Sequence, residues 1–141
     1  MARNTRTFSD LDFNFVLNPR TSDVSTRYDD EAIKQSIKNL IMTRNFERPF
    51  RSNIGCQVKS LLFEPMSPLL SVMIEKTIAD CINNYEPRVN LQSVQVSFSP
   101  ENNDCYITIV FKIKNTQTPL SINLILERTR WVQITEYKYL I

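Results

Sequence analysis

The sequence predicts an α+β domain in which N-terminal helices pack on a C-terminal antiparallel meander of three to four strands. Three observations carry that prediction. Apolar residues recur at helical spacing at Ile33, Ile37, Leu40 and Ile41, and again from Leu70 to Tyr85. Beyond Arg88 the apolar period falls to two, at Val94, Val96 and Phe98. Between the two regimes stands Glu86-Pro87-Arg88, where a ring without an N–H ends the helix and pushes the preceding residue toward an extended conformation. Helical patterns followed by strand patterns are the signature of an α+β layer arrangement.

Residues 1–28 read as an N-terminal arm. Leu11, Phe13, Phe15 and Leu17 alternate within it as a short strand or an extended segment lying on the domain, before a turn at Asn18-Pro19-Arg20. The single domain is placed at residues 29–130. Its first helix begins near Asp29 or Asp30, because Asp29, Asp30 and Glu31 suit the positive end of the helix dipole. It is expected to stop near Arg44-Asn45, with a cation in the last turn and an asparagine in the left-handed region. An irregular basic loop follows, in which Arg44, Arg48, Arg51 and Lys59 face Glu47 alone. Phe50 reads as a core plug beneath that loop, with Arg48 either solvated or forked onto a carboxylate.

A short helix is expected over Gln57 to Phe63. Ser67-Pro68 then starts a long one, with serine as N-cap and proline at the first helical position. Its stripe is Leu70, Ile74, Ile78, Cys81, Ile82 and Tyr85. Among the strands, Cys105, Ile107, Ile109, Phe111 and Ile113 form one inward row and Leu120, Ile122, Leu124 and Leu126 another. The turn between the first two strands has no glycine and relies on asparagine. Residues 131–141 have strand composition and two readings: a fourth strand of the same sheet, or an arm that pairs with another subunit.

Composition narrows the function. One domain of 141 residues is long enough to bury roughly two thirds of its unfolded surface. A net charge of +2 is too small to argue for a nucleic-acid binder. No histidine occurs, which removes Ser-His and Cys-His nucleophiles and histidine-ligated metals. Cys56, Cys81 and Cys105 lack metal-site spacing and suit reduced thiols, Cys81 and Cys105 as small core hydrophobes. No metal or cofactor is expected. With Gly55 as the lone glycine, no phosphate-cradling glycine loop can form, and Gly55 itself marks a close backbone approach or a positive φ. There is no secretory leader and no apolar run long enough to span a bilayer, so the chain is expected to be made in cytosol without a membrane partner.

Paired carboxylates are the remaining catalytic device. Glu64 and Glu86 each precede a proline, and two such groups could flank a glycosidic bond. Arg88, two residues from Glu86, would lower its pKa instead of raising it to a general acid's range.

Taken in order, Thr43-Arg44, Arg48-Pro49-Phe50, Ile54-Gly55-Cys56, Leu62-Phe63-Glu64, Ser67-Pro68 and Asn84-Tyr85-Glu86-Pro87-Arg88-Val89 resemble the gene-25-like family. These are small baseplate wedge proteins of contractile-tailed bacteriophages and of related injection systems. The resemblance covers roughly residues 8–127. It implies a virion protein of the tail baseplate, assembled in the host cytoplasm, that binds other wedge proteins and initiates the tail sheath. By the same resemblance Glu86, Pro87, Arg88, Arg48, Pro49, Phe50 and Gly55 belong to the partner-binding surface. The tail lies beyond the resemblance; read as an arm that pairs with another subunit, it would place Trp131, Ile134, Tyr137 and Tyr139 against the sheath. The family's older lysozyme-like label leaves a two-carboxylate muramidase as the alternative, and fold analogy leaves a cellular domain like a stress-response anti-adaptor.

Overall fold

The computed structural model describes residues 7–127 apart from positions 100, 102, 115 and 117. Trp131, Ile134, Tyr137 and Tyr139 therefore lie outside the described residues. Four short strands come first: β1 (Ser9–Leu11), β2 (Leu17–Asn18), β3 (Asp23–Val24) and β4 (Thr26–Tyr28). They nest as two antiparallel pairs, β1 with β4 and β2 with β3. An ion pair between buried Asp12 and Arg27, at 3.1 Å, holds the nest together. The apolar residues of this segment point outward: Leu11, Phe13, Phe15, Val16 and Leu17 are all more than half exposed.

Helix α1 (Asp29–Met42) opens with Asp29, Asp30 and Glu31 in its first turn. Asp29 does more than complement the dipole, since its Oδ1 accepts the amides of Thr7 and Phe8 and so ties the first strands to the helix start. The helix ends at Met42, short of the expected Arg44-Asn45, and no basic residue lies in its last turn. The reason is the returning chain. Cys56 donates its amide to the Thr43 carbonyl at 2.8 Å, and Arg44 gives its own amide to the Glu47 carboxylate at 2.7 Å. Thr43 is thereby drawn extended, and the left-handed conformation falls on Phe46 (φ 69°) instead of Asn45.

Helix α2 is only Val58–Leu61, within the expected span. Helix α3 (Pro68–Tyr85) starts as expected, with Ser67 Oγ accepting the Leu70 amide at 3.1 Å. Leu70, Ile74, Ile78, Cys81 and Ile82 are buried along its stripe. Tyr85 instead sends its hydroxyl to the Asn53 carbonyl, at 2.6 Å, fastening the basic loop to the helix end.

Strands β5 (Val89–Ser99), β6 (Asp104–Ile113) and β7 (Pro119–Glu127) form an antiparallel sheet in that order. Asn103, at φ 57°, makes the first turn without glycine. Register places Val94, Ile109 and Ile122 in one row, and Val96, Ile107 and Leu124 in the next. The inward rows of β6 and β7 are buried with the stripes of α1 and α3 in one core. The matching residues of β5 are only half-buried, and its register shifts between Leu91 and Ser93. The fold is thus the expected α+β arrangement of helices against an antiparallel meander.

Candidate functional site

The Glu86-Pro87-Arg88 corner forms where α3 hands over to β5. Glu86 caps the helix with φ −122° and ψ 78°, out of the helical region that a following proline disfavours, while its amide still donates to the Ile82 carbonyl. Pro87 holds the two charged residues on one side of the turn. Arg88 Nε reaches Glu86 Oε1 at 2.5 Å and Nη2 reaches Oε2 at 2.7 Å, a bidentate fork. Ser36, fifty residues earlier on α1, donates its hydroxyl to the same Oε2 at 2.7 Å. The corner thus bolts α1, α3 and β5 together.

Glu86 is 4% exposed, while the Arg88 side chain is 34% exposed. The carboxylate is therefore out of a partner's reach and the guanidinium is within it. The Arg88 guanidinium also lies 5.4 Å from the centre of the Phe8 ring, inside cation–π range. Burial pushes the Glu86 carboxyl up, but the Arg88 hydrogen bonds, the Ser36 hydroxyl and the Arg88 charge outweigh it and hold the group below its usual range. The fork in turn raises Arg88. A carboxylate held in this way stays ionised near neutrality and cannot serve as a general acid.

The loop from Thr43 to Gln57 carries the other predicted residues. Gly55 sits on the backbone of α1's end: a Cβ there would come within 2.6 Å of Arg44 C and Asn45 N, and φ is 156°. Its glycine is required by close approach, as the sequence indicates. Phe50 is not a core plug. It is fully exposed at 105%, with φ 67°, and Arg48 and Pro49 are exposed beside it. The loop's own hydrogen bonds explain this: Phe46 N to Ser52 O, Glu47 N to Arg44 O and Ile54 N to Arg51 O close it into a tight bulge that turns residue 50 to solvent. Sequence reasoning missed Phe46, which is 82% exposed on the same bulge. It also missed Ser36 and Phe8, since nothing local distinguishes a serine on a half-polar helix or a phenylalanine in an arm.

The three cysteines are free and buried. No cluster of potential metal ligands occurs among the described residues. No helix among them is long and apolar enough to cross a membrane.

Comparison with known proteins identifies relatives of the chain. The sequence profile of the family described as baseplate wedge protein gp25 matches residues 27–118. The chain is 35% identical over 96 residues to the baseplate wedge protein gp25 of Enterobacteria phage T4, covering 68% of this chain and 72% of that one. To baseplate protein W of Escherichia phage P2 it is 30% identical over 108 residues, covering 77% and 93%. A Geobacter sulfurreducens protein that carries a provisional tail-lysozyme name superposes with a TM-score of 0.64 at 25% identity, over 70% of this chain and 89% of that one. The chain belongs to the gp25 family of baseplate wedge proteins.

Proposed function

We propose that this chain is a structural subunit of a contractile-tail baseplate in the virion, where it joins inner wedge components and starts assembly of the tail sheath. Its kinship with the T4 and P2 baseplate proteins supports the baseplate role. The observation that carries assembly over catalysis is the closed corner: Glu86 is buried and spent on Arg88 and Ser36, leaving Arg88 as the group a neighbour can touch. Arg48, Pro49, Phe50 and Gly55 form the adjoining loop of the proposed surface, Gly55 by shaping it. At the other end of the sheet, β7 keeps one edge unpaired among the described residues, and an unpaired edge is a template for a strand from another chain. Trp131, Ile134, Tyr137 and Tyr139 follow it in sequence and are proposed to meet the sheath subunit.

The test is co-expression with the wedge and sheath proteins of the same contractile-tail system. Arg88→Ala is expected to stop wedge incorporation. Removal of residues 131–141 is expected to leave the wedge intact and impair sheath attachment. Peptidoglycan turnover by the purified chain that Glu86→Gln abolishes, with assembly unharmed, would establish the muramidase reading in place of this one.

A further inference from the structure

The bulge between α1 and α2 holds two large aromatic side chains at its surface, and neither contributes to the core. Phe46 and Phe50 both adopt left-handed backbone, at φ 69° and 67°, where a bulky residue is a genuine outlier. Both rings are nonetheless held out of the protein, at 82% and 105% exposure. The conformation is over-determined by its surroundings. Four hydrogen bonds lie within the bulge, Tyr85 clamps Asn53 from α3, and Gly55 lets the returning chain press on Arg44 and Asn45. The rings are therefore presented on a stiff platform, and a partner would spend little order in seating them.

Charge specifies what seats there. Arg48 and Arg51 are exposed on either side of Phe50. The acidic residue within the bulge, Glu47, has its carboxylate turned onto the Arg44 amide. The Arg44, Phe46, Glu47 and Ile54 amides are spent within the bulge, and the two rings with their flanking guanidinium groups are what it offers outward. An aromatic pair with flanking guanidinium groups fits an acidic protein face that offers apolar pockets, since aromatic and arginine side chains are the ones that dominate interface energy.

We infer that Phe46 and Phe50 anchor a docking surface whose occupant is an acidic, apolar-pocketed face of a baseplate wedge protein, an inference that rests on the wedge-joining role above. The surface is separate from the Arg88 fork in chemistry: its anchors are rings with an electrostatic collar, not a guanidinium over a buried carboxylate. Single-stranded nucleic acid is the other polyanion that stacks on rings. A net charge of +2 over the chain falls well short of what such binding concentrates.

The experiment titrates the full chain into the purified wedge proteins of the same contractile-tail system, at low and at high salt, with a single-stranded oligothymidylate as the second probe. Phe46→Ser and Phe50→Ser are each expected to weaken wedge binding by about tenfold or more while leaving the melting temperature unchanged. Arg48→Glu and Arg51→Glu are expected to weaken it most at low salt. Loop variants that bind the wedge like wild type, while Arg88→Ala does not bind, overturn this inference and leave the corner reading standing. Wild-type chain that binds no wedge protein overturns both. Oligothymidylate binding that depends on Phe50, with wedge binding indifferent to it, assigns the surface to nucleic acid instead.

Discussion

Arg88 reaches back over Pro87 to grip Glu86 through both carboxylate oxygens, and Ser36 of α1 closes the one lone pair that faces the helix layer. A charge pair this enclosed is worth little as a net source of stability, yet removing one partner strands the other. Its value lies in position: three elements meet there, and Pro87 and Arg88 emerge while Glu86 does not.

Acid should loosen this corner. The folded Glu86 carboxyl sits below its reference value of 4.5, so the unfolded chain binds that proton more readily. The stabilisation is therefore complete above about pH 4.5 and lost as pH falls through the lower folded value. Glu86→Gln is expected to cost about 2 kcal/mol at pH 7, less than for a fully buried pair because Arg88 is partly solvated. Melting curves across the acid range should show the gap between wild type and variant closing below pH 4.5; a constant gap would rule out the ion pair as its origin.

Gly55→Ala should be the most damaging small substitution in the bulge. The added methyl meets backbone, not a flexible side chain, at 2.6 Å. A loss of roughly 2–4 kcal/mol is expected in chemical denaturation, against almost none for Phe50→Ser. Equal stability of the two would mean that the chain end of α1 can move aside.

Glu75 guards the open edge of the sheet. From α3 its Oε1 accepts the Val96 amide of β5 at 3.0 Å, a group that would otherwise invite a foreign strand. Glu75→Ala is expected to cost about 1 kcal/mol and to produce concentration-dependent self-association in sedimentation. A variant that stays monomeric at high concentration would show that α3 covers the edge without the carboxylate.

Burial should keep the thiols silent in the native state, including Cys56, which the neighbouring Cys81 holds below the usual thiol value. Burial pushes Cys105 up to about 12. The neighbouring Cys56 thiol and burial raise Cys81 too, and its S–H donates to the Gly55 carbonyl at 3.4 Å. A thiol reagent at pH 8 is expected to label none of the three until denaturant is added, and then all three. Prompt labelling of one would reveal local opening of the loop against α3.

Much of this molecule was legible in one dimension. Helix α3 carries its own start at Ser67-Pro68, its own stripe and its own stop at Pro87, all within reach of local physics. The inward rows of β6 and β7 follow from strict alternation, because a strand buried on one face must alternate. The pairing of Glu86 with Arg88 was legible too, being two residues apart around a rigid ring. The exposure of Phe50 was not. Whether a phenylalanine in a loop is a plug or an anchor depends on hydrogen bonds from Tyr85 to Asn53 and from Cys56 to Thr43, contacts between segments whose distance in sequence says nothing about distance in space. The same holds for Ser36 and Phe8 at the corner. Sequence by itself determined the helices, the three-stranded meander, their order and the charged turn between helix and sheet, but not the four short strands that precede them. Tertiary structure decided which side of that turn faces a partner, because burial of Glu86 and exposure of Arg88 are set by what α1 and the first strands bring over them.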